Sequence, residues 1–381
     1  MHQGDIQARH YTTGEPVFVR WREGRLTELA PCAQLTDPDL WIAPALVDLQ
    51  VNGFAGVDFQ QDGLSEADLR RAVRALRDAG CSGFLYTLIT DEWSTLIARL
   101  KHVRALRTRH ADLRRAILGW HVEGPFLSPE PGFRGAHDPA VMIDPRPEHV
   151  RELRAAAGDD VVLLTLAPER AGALEAIRLA VSLGMTVSLG HTNASALRLR
   201  EASTAGARGF THLGNACPQL LDRHDNILWR VLDTPGLTVS LIPDRIHVSP
   251  PLFRLVHRAL PAEAIYYVTD AMAAAGAPPG RYSIGKLVLE VGDDQVVRLP
   301  GQRHFAGSAL RPIDGVWRAA EMLGCRWQEV WDRFSVGPAR LVGREHGLAV
   351  GRPACFCLLR APAKGPPHLV RTMAGAADPG D

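Results

Sequence analysis

Eight short apolar runs recur along the middle of this chain, most of them separated by stretches with helical spacing. Two of the runs end near Gln50 and Ile89; the others cover 116–122, 161–167, 186–190, 209–213, 237–242 and 265–269. Helical stretches fit 147–157, 172–183, 195–205 and 250–260 between the later runs. Earlier, Ser65-Glu66-Ala67-Asp68 reads as a capped helix start, with Leu69, Ala72, Val73 and Leu76 on one face and Gly80 as the stop. Trp93, Leu96, Ile97, Leu100, Val103 and Leu106 mark another amphipathic helix. Strands that alternate with helices lie parallel, because each helix carries the chain back across the sheet. Eight of them predict a closed (β/α)8 barrel. An open doubly wound sheet is the alternative, less able to gather polar groups from so many strands. A length of 381 residues suits one such barrel with additions.

The strand ends carry the chemistry. Glu123 closes the run in Gly119-Trp120-His121-Val122-Glu123-Gly124, where a buried carboxylate is costly unless a cation meets it. His191 and His212 end two later runs, and Asp270 a third. Any one of them fits an ordinary core or cap residue. Together they predict one metal site with a catalytic base: catalytic zinc sites take three protein ligands and leave one position for water. Gly190 lets the backbone approach at His191, and Asn193 is placed to cap the following helix. Gln50, Asn52 and His247 also fall at the face where such barrels do chemistry.

The two ends of the chain read differently. Pro16–Trp21 and Leu26–Leu29 around Gly24 predict strand, turn and strand, and Trp41–Leu49 is one apolar run broken by Pro44. A hairpin insert is expected near 281–300, followed by helices at 308–323 and 326–334. Leu348-Ala349-Val350 and Cys355–Leu359 are β-like and are expected to pair with the N-terminal strands. The reading is a small β-sandwich side domain from 1–43 and 345–381 around a barrel at 44–344, with the final residues frayed.

A formal charge of +1 argues against nucleic acid as a partner, and no run is long and apolar enough to span a membrane. No leader is read at Met1–Ile6, and six scattered cysteines without a Cys-x-x-Cys pair read as reduced thiols of a cytoplasmic protein.

Pro44–Gly53, His121–Phe126, Gly135-Ala136-His137, Gly190–Ala194, Thr211–Ala216, Thr269–Met272 and Gly307-Ser308-Ala309 occur in an order that resembles the N-acetylglucosamine-6-phosphate deacetylases of the amidohydrolase superfamily. The resemblance covers nearly the whole barrel. It implies the barrel of the metal-dependent hydrolases, a cytoplasmic homodimer, and hydrolysis of N-acetyl-D-glucosamine 6-phosphate to acetate and D-glucosamine 6-phosphate. By the same resemblance Glu123, His191 and His212 are metal ligands and Asp270 the acid/base. Ala136, His137, Asn215, Ala216, Arg223, His247, Phe305, Ala306 and Gly307 match sugar-phosphate contacts. Gln50 and Asn52 stand where many amidohydrolases place a His-x-His pair for a second metal. Amides are weak zinc ligands, so one divalent ion per chain is expected, zinc before Fe2+, Mn2+ or Co2+. The chain departs from the family pattern at Cys217, at Asp225-Asn226, around Pro243 and Arg245, and at Pro353-Ala354-Cys355. The first three surround the substrate, so N-acetylgalactosamine 6-phosphate or another amide stays open as substrate, as does a non-catalytic homologue.

Overall fold

Every strand of the central sheet is buried on both faces, which is why its sequence runs are continuously apolar rather than alternating. In a computed structural model, which describes residues 3–301, 305–362 and 366–375, eight strands form this sheet. They are Leu46–Val51, Cys81–Ile89, Ile117–Glu123, Val161–Leu166, Thr186–Leu189, Gly209–Phe210, Thr238–Leu241 and Ile265–Tyr267. Each lies parallel to the next in chain order. The barrel closes where the eighth strand's extension meets the first: Val51 and Ala271 form a parallel bridge, and Asn52 N donates to Ala271 O at 2.7 Å. Lower down, the Asp48 carboxylate replaces the missing ladder, accepting from Thr269 N at 3.2 Å and Thr269 Oγ1 at 2.6 Å. The expected closed barrel is therefore the fold, and the open sheet is not.

The helices follow from their faces and caps. Glu66–Asp78 buries Leu69, Ala72, Val73 and Leu76, and Ser65 Oγ accepts from Asp68 N at 3.1 Å. The fifth and sixth strands lead into Ala196–Ala205 and Ile227–Leu232. Ser195 caps the first of these, so the expected cap at Asn193 is corrected: that side chain is drawn away to Glu130 and Arg230. The second was not expected, because six residues are too few to show a period and its start is set by one cap, Asn226.

Beside the barrel lies a mixed sheet in the order His368–Met373, Phe356–Arg360, Leu40–Pro44, Gln3–His10, Pro16–Arg22, Arg25–Pro31. The run from Trp41 is thus two strands, one per sheet, broken at Pro44-Ala45. Gln3–His10 escaped sequence reading because its side chains are mostly polar or half-exposed. Leu348–Val350, expected as β, carries no strand. The insert is a three-stranded sheet, Gly280–Ile284, Leu287–Val291 and Val297–Arg298. The terminal stretch from 376, expected to fray, lies outside the described residues. No helix among the described residues is long and apolar enough to cross a membrane.

Candidate active site

Glu123 is the last residue of the third strand, and His191 and His212 lie just past the fifth and sixth. All three are buried, and one ligand atom from each lies within 4.8 Å of the others. Glu123 Oε1 is 3.0 Å from His212 Nε2 and 3.4 Å from His191 Nε2, and the two imidazole nitrogens are 3.2 Å apart. Phe133 O accepts from His191 Nδ1 at 3.1 Å, which leaves the Nε2 lone pair facing the cluster. Two imidazoles and a carboxylate converging this way fit a divalent cation of the zinc type. Burial opposes the Glu123 charge, yet the two imidazoles outweigh it and hold the carboxyl well below the usual range.

Asp270, past the eighth strand, faces this cluster. Burial pushes its carboxyl up to about 6, and the Glu123 charge adds to that, while His212, His247 and an Asn52 hydrogen bond pull it back. Asn52 Nδ2 donates to Asp270 Oδ1 at 2.7 Å, and Gln50 Nε2 donates to Glu123 Oε1 at 3.0 Å. Each amide thus donates a hydrogen bond to one of the two carboxylates of the centre. The backbone beside Asp270 is pinned by Ser308, whose N donates to Asp270 O at 2.9 Å and whose Oγ donates to Thr269 O at 2.6 Å.

The remaining expected residues fall into two groups. His137 stacks edge-on against His191 with centroids 4.4 Å apart, its Nε2 3.9 Å from Glu123 Oε2. Its Nδ1 meets Thr90 Oγ1 at 2.8 Å, and burial lowers its pKa to about 3, so the ring is neutral. Gly135 lies flat on His191, where an added Cβ would come within 3.0 Å of the ring. Asn215 Nδ2 donates to His212 O at 3.2 Å, and Ala216 follows with φ of 49°. His247 Nδ1 donates to Asp244 Oδ2 at 2.6 Å, and its ring meets Phe305 edge-on at 5.4 Å. Ala306 is buried, and Gly307, at φ of 67°, packs on Met272. Two residues stay outside this cluster. Ala136 is exposed, and so is Arg223, whose guanidinium has no hydrogen bond or ion pair among the described residues. Sequence reading missed Thr90, Asp48 and Asp244, the groups that hold His137, Thr269 and His247. Only Asp48 had a visible signal, standing two residues before Gln50 on the same strand face.

No family model matches the sequence. The chain is 34% identical to the N-acetylglucosamine-6-phosphate deacetylase of Danio rerio over 84% of its own length and 80% of the relative's. It is 32% identical to the N-acetylgalactosamine-6-phosphate deacetylase of Escherichia coli O157:H7, over 88% and 87%. Its fold matches a mutant N-acetyl-D-glucosamine-6-phosphate deacetylase from Mycobacterium smegmatis in complex with N-acetyl-D-glucosamine-6-phosphate. That match has a TM-score of 0.87 at 29% identity, covering 99% of both chains. Likeness of this extent in sequence and in fold makes the chain a member of the N-acetylglucosamine-6-phosphate deacetylase family, within the amidohydrolase superfamily.

Proposed function

We propose that this protein hydrolyses N-acetyl-D-glucosamine 6-phosphate to D-glucosamine 6-phosphate and acetate, with one divalent ion per chain and zinc as the native metal. The observation that carries the reading is the convergence of Glu123, His191 and His212 opposite a partly buried acid, Asp270, at the strand C-terminal face. Glu123, His191 and His212 would hold the ion, which when bound would supply Lewis acidity and lower the pKa of water. Asp270 takes the proton of the attacking water and returns one to the departing amine. Asn52 orients that carboxyl, and Gln50 steadies Glu123. The donor role of both amides supports a single ion. Neutral His137 offers a hydrogen bond beside the cluster, while Arg223 and His247 suit the phosphate.

Residues 44–344 are read as the catalytic unit, and 1–43 with 345–381 as its side domain. The protein is read as a cytoplasmic homodimer: its cysteines are free thiols, and exposed Leu220 and Trp229 leave apolar surface near Arg223 for a second copy. A second reading, N-acetyl-D-galactosamine 6-phosphate as substrate, is favoured by the 32% identical relative of that name. Acetate release from both sugars, with and without the phosphate, tests the proposal after metal analysis. Turnover of the glucosamine phosphate well above the others supports it, and no acetate from a metal-loaded protein overturns it.

A further inference from the structure

The loop between His212 and the helix Ile227–Leu232 carries Arg223, and its backbone is held at several points. Asp222 Oδ1 accepts from His224 N at 2.7 Å and Asp225 N at 3.0 Å, and Trp229 Nε1 donates to Arg223 O at 3.2 Å. These bonds shape the loop but do not fix where it stands over the barrel.

Arg230 does that. Its side chain is only 15% exposed, and it faces two ways. Towards the Arg223 loop, Nε donates to Asp225 Oδ1 at 2.5 Å and Nη2 to Asp225 O at 3.2 Å. Towards the loop after His191, Nη1 lies 3.3 Å from Asn193 O, 3.2 Å from Asn193 Oδ1 and 3.2 Å from Ala194 O. Asn193 is itself anchored, its N donating to Glu169 Oε1 at 2.9 Å and its Nδ2 to Glu130 Oε2 at 3.1 Å. One guanidinium therefore ties the loop that leaves one imidazole of the cluster to the loop that leaves the other. Asp225 is 71% exposed, so its ion pair is screened and contributes little by itself. The charged bonds to main-chain carbonyls hold the clamp, Asp225 O on one side and Asn193 O and Ala194 O on the other.

We propose that Arg230 is a specificity-determining positioning residue: by clamping the Arg223 loop to the loop after His191, it fixes where the Arg223 guanidinium is presented to a phosphate monoester. The proposal rests on the reading of Arg223 as a phosphate contact. It also explains how a chain with Asp225-Asn226 at its family departure keeps that loop ordered, since Asp225 meets Arg230 and Asn226 Oδ1 accepts from Leu228 N at 3.0 Å.

The test compares kcat/KM for N-acetylglucosamine 6-phosphate and for the unphosphorylated sugar in the metal-loaded wild type, Arg223→Ala, Arg230→Met and the double variant. Arg230→Met should lower kcat/KM for the phosphorylated substrate about 10- to 100-fold, mainly through KM, and should change use of the plain sugar by less than about 2-fold. It should add nothing to Arg223→Ala, because two residues acting through one contact are not additive. Arg230→Lys should lie between, since an ammonium cannot span both loops. It also carries the test if the methionine variant does not fold. Equal losses on both substrates, or additive losses in the double variant, overturn the proposal. If Arg223→Ala itself harms both substrates equally, the phosphate reading of Arg223 fails instead.

Discussion

His191, His212 and Asp270 share a feature that no sequence pattern announces: their φ angles are 50°, 35° and 52°. Left-handed backbone at a non-glycine residue costs about 1–3 kcal/mol and persists only where neighbours over-determine it. Here Ser128 N donates to His191 O at 3.0 Å, His212 N donates to Ser240 Oγ at 2.7 Å, and Ser308 holds Asp270 O. The residues themselves were legible only as a set: any one of them fits an ordinary core or cap residue, but a carboxylate or imidazole at the ends of four separate apolar runs does not. Their supports were not, since a serine or threonine in a strand looks like any other. With supports this dense, Asp270→Asn should keep its place and lose only its proton. Its kcat should fall at least about 100-fold, the usual range for an acid–base group. Bound metal, by elemental analysis, and substrate affinity should stay near wild type. Loss of metal would make Asp270 chiefly a ligand. By contrast, Glu123→Ala and His191→Ala should each lose most of the metal, which in the wild type should be about one ion per chain.

At the scale of the element, the first strand is the one whose polar residues matter. Asp48, Gln50 and Asn52 alternate on one face, as strand geometry requires, and reach Thr269, Glu123 and Asp270 respectively. Sequence reading found the last two as polar residues at the strand end, on the face where such barrels do chemistry, but took Asp48 as part of an apolar run. It is fully buried, and burial pushes its carboxyl up to about 7, against the pull of the Thr269 hydroxyl and amide. A carboxyl raised in the folded state binds more protons than the unfolded chain between its two pKa values. Stability therefore falls as pH rises from about 4 to 7, and the ionised form above that is the costly one. Asp48→Asn cannot ionise, so its stability relative to wild type should improve by a few kcal/mol between pH 5 and pH 7.5. Denaturant melts of both proteins at the two values measure this. A difference that stays constant with pH would mean that Asp48 is not the group titrating. Where elements were misread, the cause was length or pairing: six residues at Ile227–Leu232 show no period, and Gln3–His10 is a strand through its pairing with Pro16–Arg22 and Leu40–Pro44.

The whole molecule joins its two ends in one sheet. Leu40–Pro44 lies between Gln3–His10 and Phe356–Arg360, so neither the first forty residues nor the last thirty can complete the sheet alone. The sheet's small core holds Val19, Trp21, Leu26, Ile42, Phe356 and Leu358, separate from the barrel's. One covalent step, Pro44 to Ala45, carries the chain from this sheet into the barrel, and Trp331 Nε1 donates to Pro44 O at 2.8 Å beside it. Phe356 is fully buried and meets Trp21 edge-on at 5.3 Å, in a core that includes none of Glu123, His191, His212 and Asp270. Phe356→Ala should leave a cavity that the sheet cannot refill, at a cost of about 3–5 kcal/mol. Its effect should be read in Tm and not in chemistry: melting at lower temperature, with metal content and kcat at 25 °C unchanged. The reason lies in how the barrel is held. Among the described residues its strands form a sheet of their own, and its closure runs through Asp48, Asn52 and Thr269 rather than through the outer sheet. If kcat at 25 °C instead fell in step with stability, the first strand would have to be transmitting the loosened sheet through Pro44 to Gln50 and Asn52. The side sheet would then be part of what positions the site.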